Sequence, residues 1–180
     1  MSNLRKSREQ TKNMIVSAAL CALSVIILSL GSLIEVVDLS VAVIASLLCV
    51  YAVIEIGGIY PWLIWLVTSI VSALLLPTKT PAVFYALLAG YYPILKEKIE
   101  RLPTLPAYLL KWGVATVAAV AIWGVSVLFL PVLLEGFETL PLLLALYGGM
   151  VVVFFIYDFA LSSLITFYFR RLRNRLRVHK

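Results

Sequence analysis

Histidine occurs once in this chain, as His179, and cysteine twice, as Cys21 and Cys49. A single histidine in an exposed basic tail leaves the apolar interior without the commonest general base and metal ligand. The two cysteines lie inside apolar runs with no CxxC or Cys/His spacing, so neither a zinc site nor a disulfide framework is expected, and both read as small packing residues. The motifs HExxH, GxSxG, GxGxxG and the P-loop are all missing, and the serines of the apolar runs have no histidine to activate them. An intramembrane aspartyl protease would need a second aspartate within a span, whereas Asp38 sits at a boundary. The chain is therefore expected to hold no catalytic residues, no metal and no cofactor, and not to be an enzyme.

Charge is scarce too. Charged residues make up 13% of the 180 positions and apolar ones 63%, where a soluble domain has about a quarter and about half. With a mean hydropathy of +1.05, no water-soluble fold of this size hides so much apolar surface. The expectation is an all-α polytopic membrane protein, a six-transmembrane-helix bundle forming one integral domain over 1–180, because about 20 apolar residues are needed per crossing.

The apolar runs fall at about 14–34, 36 or 39 to 56, 59–76, 82–95, 109–134 and 140–169, with basic tails at 1–12 and 170–180. Glu35 and Asp38 mark the first turn, Gly57, Gly58 and Pro61 the second, and Pro77 and Pro81 bracket the third. The fourth run holds only about 14 residues, interrupted by Gly90 and Pro93, and would cover about 21 Å. It either continues into Lys96, Glu97 and Lys98 or re-enters. The polar, basic N-terminus and the span-length first run argue against a cleaved signal peptide.

Positive charge decides the orientation, because basic residues are retained on the cytoplasmic side. With both ends inside, fourteen of fifteen basic residues are cytoplasmic: Arg5, Lys6, Arg8 and Lys12; Lys96, Lys98, Arg101 and Lys111; and the C-terminal cluster from Arg170 to Lys180. Only Lys79 is outside, among the acidic Glu35, Asp38, Glu135 and Glu138. Omitting the fourth run would strand one basic group on the wrong side. The net charge of +6 is thus assigned to topology and to anionic lipid, and nucleic acid is not an expected partner.

Two carboxylates fall within or beside spans. Asp158 lies inside the sixth run, and Glu55 at the inner end of the second. Asp158 admits a ligand-binding or proton-linked role, or a structural one hydrogen-bonded to a neighbouring helix; Glu55 can instead snorkel or pair with Lys111. In the first run Ala18 and Ala22 are four apart, with Val25, Ser29 and Ser32 continuing the spacing. Small residues at that interval allow close helix approach, serving either internal packing or a partner helix.

A basic N-terminus leading into Ser17-Ala18-Ala19-Leu20-Cys21-Ala22-Leu23, in a chain of 180 residues with six expected spans, resembles the substrate-binding S components of energy-coupling factor (ECF) type transporters. The likeness rests on topology and on AxxxA at Ala18 and Ala22. It implies an ECF S-component-like fold in a bacterial cytoplasmic (inner) membrane, with these alanines docking on a membrane T component that sits on two ATPase subunits. It further implies capture of a vitamin-like small molecule or other micronutrient at the outer face, beneath the loops after the first, third and fifth spans. Those loops bring Glu35 and Asp38, Lys79 between Thr78 and Thr80, and Glu135 to Glu138, with Tyr85 and Trp123 as aromatics for the pocket wall. No His-rich N-terminus of the nickel or cobalt type is present. Two other expectations stand beside it: a structural or assembly membrane protein of the bacterial cell envelope, and a small ion- or proton-coupled transporter using Asp158.

Overall fold

The computed structural model describes residues 2–34, 37–129 and 140–168. All regular structure among them is helical. The helices are α1 (Ser2–Gly31), α2 (Asp38–Glu55), α3 (Tyr60–Leu75), α4 (Thr80–Phe84), α5 (Tyr92–Ile99), α6 (Thr104–Phe129) and α7 (Leu140–Phe167), with a π-turn at Tyr85–Ala89. Among the described residues, four segments are long and apolar enough to cross a membrane: Ser7–Gly31, Asp38–Glu55, Thr104–Val125 and Leu144–Phe167. The third apolar run is a helix of 16 residues, about 24 Å long, and the fourth is a broken helix. The chain divides into two compact units, Met1–Lys111 and Trp112–Lys180.

In the first unit α2 is the central helix, packed against α1, α3, α4, α5 and the π-turn. Its buried side chains recur at helical spacing and are mostly small: Ala42, Ala45, Ser46, Cys49 and Ala52. Between apolar helices in lipid there is no hydrophobic drive to associate, so closeness of backbone approach supplies the packing energy, and small residues permit it. The helix ends where Gly57 and Gly58 take φ of 66° and 65°, a region L side chains avoid, and the Gly57 amide donates to the Ala52 carbonyl at 2.9 Å.

α1 is longer than the first apolar run. The polar stretch expected as a tail continues the same helix, so its 30 residues span about 45 Å and its first turns reach beyond a hydrocarbon core of about 30 Å. α3 starts with Pro61 in its first turn, where the missing amide costs nothing, and stops at extended Leu76 because Pro77 follows.

The fourth run lengthens in both directions, occupying Thr80 to Ile99 rather than 82–95, but is not one regular helix. Pro93 cannot donate to the carbonyl a turn before it, so the helix restarts at Tyr92 with Pro93 in its first turn. Ahead of that restart the ladder slips by one residue, the Gly90 amide bonding to the Tyr85 carbonyl at 2.7 Å. The Trp65 indole N–H donates to the Ala86 carbonyl at 3.0 Å, satisfying a backbone acceptor at the bulge from the neighbouring helix.

α6 begins at Thr104, in the first unit and earlier than the expected 109, and from Trp112 onward belongs to the second. Its buried positions are Ala115, Ala118 and Ile122; those of α7 are Phe154, Tyr157, Asp158 and Leu161. Thr116 and Tyr147 hydroxyls meet at 3.0 Å between the two helices. The outward faces of both units are apolar, with Ile26, Leu30, Ile70, Leu74, Val117, Val120, Ile156 and Phe159 exposed. Exposed apolar surface of that extent suits lipid rather than water.

Candidate functional site

The turns after α1 and α3 meet at one end of the first unit. The Thr78 hydroxyl donates to the Ser32 carbonyl at 3.0 Å, and the Lys79 ammonium to the Leu76 carbonyl at 2.6 Å. Asp38 is the first residue of α2, at the same end, and is nearly buried. A carboxylate in a first helical turn is favoured by the unpaired amides and the helix dipole. Gly31 packs so closely on Val41 that a Cβ there would come within 2.5 Å of it, drawing α1 and α2 together beneath these turns. Of the residues expected to bind substrate, Asp38 and Lys79 therefore share one end of the fold, with Ser32 and Thr78 as additional polar groups. Tyr85 is fully buried at the start of the π-turn, in the core of the first unit. Trp123 is 45% exposed on α6 in the second unit. Glu35 and Glu135 lie outside the described residues.

The opposite end is basic and aromatic. Lys98 sits over the Trp62 ring, 5.9 Å from its centroid. Trp62, Trp65 and Tyr91 form successive edge-to-face contacts at 5.7 and 6.1 Å. Lys96 is the residue that reasoning from sequence missed. Its place between apolar runs marks a topogenic charge, yet it is 1% exposed, paired with Glu100 at 3.0 Å and 5.8 Å from the Tyr92 centroid. The i, i+4 spacing of Lys96 and Glu100 was a visible signal of the pair but not of the burial. A second pair of the same spacing, Glu97 with Arg101 at 2.6 Å, is on the surface. An open groove of about 210 Å³ lies beside it, lined by Glu100, Leu102, Thr104, Ala107, Tyr108 and Lys111. Glu55 is exposed at the last position of α2.

On α1 the buried stripe is Ser17, Ser24 and Leu28, with Cys21 half-buried between. Ala18 and Ala22 are exposed on another face, alongside Ile15, Ala19, Leu23 and Ile26. The spacing expected to run through Val25 and Ser29 to Ser32 does not keep to one face. Val25 and Ser29 are half-buried and Ser32 is buried, because α1 turns its Ser32 end into the contact with the loop after α3. Asp158 is 9% exposed, on the buried stripe of α7 nine residues before its end, and its backbone carbonyl accepts from Ser162 at 3.0 Å.

No protein-family model matches this chain, and no match was found among curated proteins or solved structures. Among the described residues no three His, Cys, Asp or Glu side chains gather as a metal site would require. What the geometry offers is a membrane-suited helical unit with a small-residue face on α1, a polar end where two loops join, and a basic, aromatic end opposite.

Proposed function

We propose that this chain is the substrate-capture subunit of an ECF-type transporter, with six spans, both ends in the cytoplasm of a bacterial cell, and a vitamin-like small molecule or micronutrient as ligand. The observation that carries the reading is the exposure of Ala18 and Ala22 on a helix whose other side is buried against α2 and α3. Two residues of minimal size on an outward face, flanked by Ile15, Leu23 and Ile26, let a second helix come close within lipid. The ligand would bind at the polar end, where Ser32, Asp38, Thr78 and Lys79 converge. The six-span topology counts α3 and the broken fourth segment as crossings, short ones held by packing on α2. It puts Lys96, Lys98 and Arg101 at the inner surface with their aromatic neighbours. Having no nucleotide-binding motif, the chain would take its energy from partner ATPases.

The test is purification of the tagged chain from its native membrane in mild detergent, followed by identification of co-purifying subunits. A T-type membrane protein with two ATPases is expected, and Ala18→Leu with Ala22→Leu should abolish its recovery while leaving the chain folded. Recovery of cell-envelope synthesis proteins would replace the reading with the assembly role. The burial of Asp158 favours a second reading, an ion- or proton-coupled carrier, in which partner subunits are not needed and Asp158→Asn abolishes transport.

A further inference from the structure

Hydroxyl groups on helices in lipid normally donate to a carbonyl one turn back on their own helix. This chain follows that habit at Ser32, Ser46, Ser69, Thr116, Ser162 and Thr166, whose hydroxyls reach the carbonyls of residues three or four positions earlier at 2.6 to 3.0 Å. Among the described residues, four buried serine and threonine hydroxyls depart from it. Ser17 and Ser24 on α1, and Thr68 and Ser72 on α3, are at least nine-tenths buried and make no hydrogen bond.

All four belong to the buried stripes of two helices that pack on one another. The Cys21 thiol approaches the Ile64 carbonyl at 3.9 Å, and Thr78 bonds to Ser32, so α1 and α3 run in the same direction with residue n of α1 beside about n + 43 to n + 46 of α3. Ser24, three residues beyond Cys21, therefore stands within about two helical rises, 3 Å, of the level of Thr68. Two fully buried hydroxyls, a thiol and backbone carbonyls with spare lone pairs thus meet where the side chains are small.

We propose that the seam between α1 and α3 holds ordered water, with at least one molecule bridging the Ser24 and Thr68 hydroxyls. Buried water is found where two to four polar groups converge that otherwise lack partners, and the seam supplies such a set. Water of this kind lets α1 shift against α3 by exchanging mediated bonds rather than breaking direct ones. The inference concerns the interior side of α1 and does not depend on the transport reading, which rests on its outward side.

The test uses the full chain in lipid nanodiscs. A double-mutant cycle of Ser24→Ala and Thr68→Val is read by the thermal midpoint. Each single change should lower the midpoint by leaving the other hydroxyl and the water under-coordinated, and the double variant should be no worse than the poorer single one. Separately, Cys49→Ala leaves Cys21 as the sole thiol, and its S–H stretch is followed by infrared spectroscopy after transfer to D2O. Exchange within minutes is expected if water touches the seam. Single variants that are neutral or more stable would mean a dry seam and overturn the proposal. Coupled variants with an S–H band that persists for hours would mean a direct hydroxyl contact, and would overturn it equally.

Discussion

Substitution of Gly90 by alanine tests the packing around the fourth apolar segment most sharply. The backbone there is helical, with φ of −76° and ψ of −41°, so alanine meets no conformational objection and by helix propensity alone should add up to about 1 kcal/mol of stability. The surroundings argue the other way. A Cβ at Gly90 would lie 2.6 Å from Cδ1 of Trp65 and 2.8 and 2.9 Å from ring atoms of Tyr85. Ordinary carbon contacts need about 3.5–4.0 Å, so the Cβ and both rings must part by about 1 Å. Tyr85 is fully buried and has nowhere to go. Trp65 can retreat by stretching its bond to the Ala86 carbonyl, a part-buried acceptor at the bulge. Overpacking costs about 1–3 kcal/mol, and the lost bond to a part-buried acceptor about 1 kcal/mol more, so Gly90→Ala should destabilise by about 1–3 kcal/mol net of the propensity gain. Unfolding of the purified chain in detergent by denaturant titration measures it. In a Trp65→Phe background, where the indole bond is already gone and the ring smaller, the same change should cost at least about 1 kcal/mol less. A neutral or stabilised Gly90→Ala variant, or equal costs in both backgrounds, would refute the reasoning.

Three further outcomes follow from the geometry. Glu100→Gln should destabilise by about 2–4 kcal/mol because it removes the carboxylate paired with a buried ammonium, while Lys96→Met should cost under about 1 kcal/mol, since the half-exposed Glu100 can turn to solvent; thermal midpoints that rank the two the other way would contradict the pair's asymmetry. Gly57→Ala should cost about 1 kcal/mol from the left-handed backbone alone, as no atom lies within 4 Å of the new Cβ, whereas Gly113→Ala, equally uncrowded and within α6 at negative φ, should be neutral or slightly stabilising; equal shifts in midpoint would speak against the backbone argument. On the proposed capture role, Asp158→Asn should leave uptake with the partner subunits intact, and loss of uptake with a normally folded chain would favour the ion-coupled reading instead.

The helical and membrane character was legible from composition. In a hydrocarbon core every backbone amide and carbonyl must be satisfied within the chain, so long apolar runs in an α-protein leave little choice but helices, and proline and glycine then place their ends. Gly57, Gly58, Pro61, Pro77 and Pro81 all fall at or beside observed helix ends. The ends were less legible where polar residues can remain helical beyond the apolar run, as α1 does back to Ser2 and the fourth segment does out to Ile99. The candidate site was legible in part. The shared end of the loops after α1 and α3 followed from counting crossings, but the burial of Tyr85 and Lys96 did not.

What the sequence alone determined was the class of solvent: 63% apolar residues and basic clusters between the apolar runs specify helices suited to lipid. Which face of each helix turns inward was decided only by the tertiary structure. In water, apolar periodicity marks the buried face, but a helix meant for lipid is apolar all round, so that signal vanishes. On α1 the interior took Ser17, Cys21, Ser24 and Leu28 and left Ala18 and Ala22 outside, a choice set by the shapes of α2 and α3, which no single stretch of sequence contains.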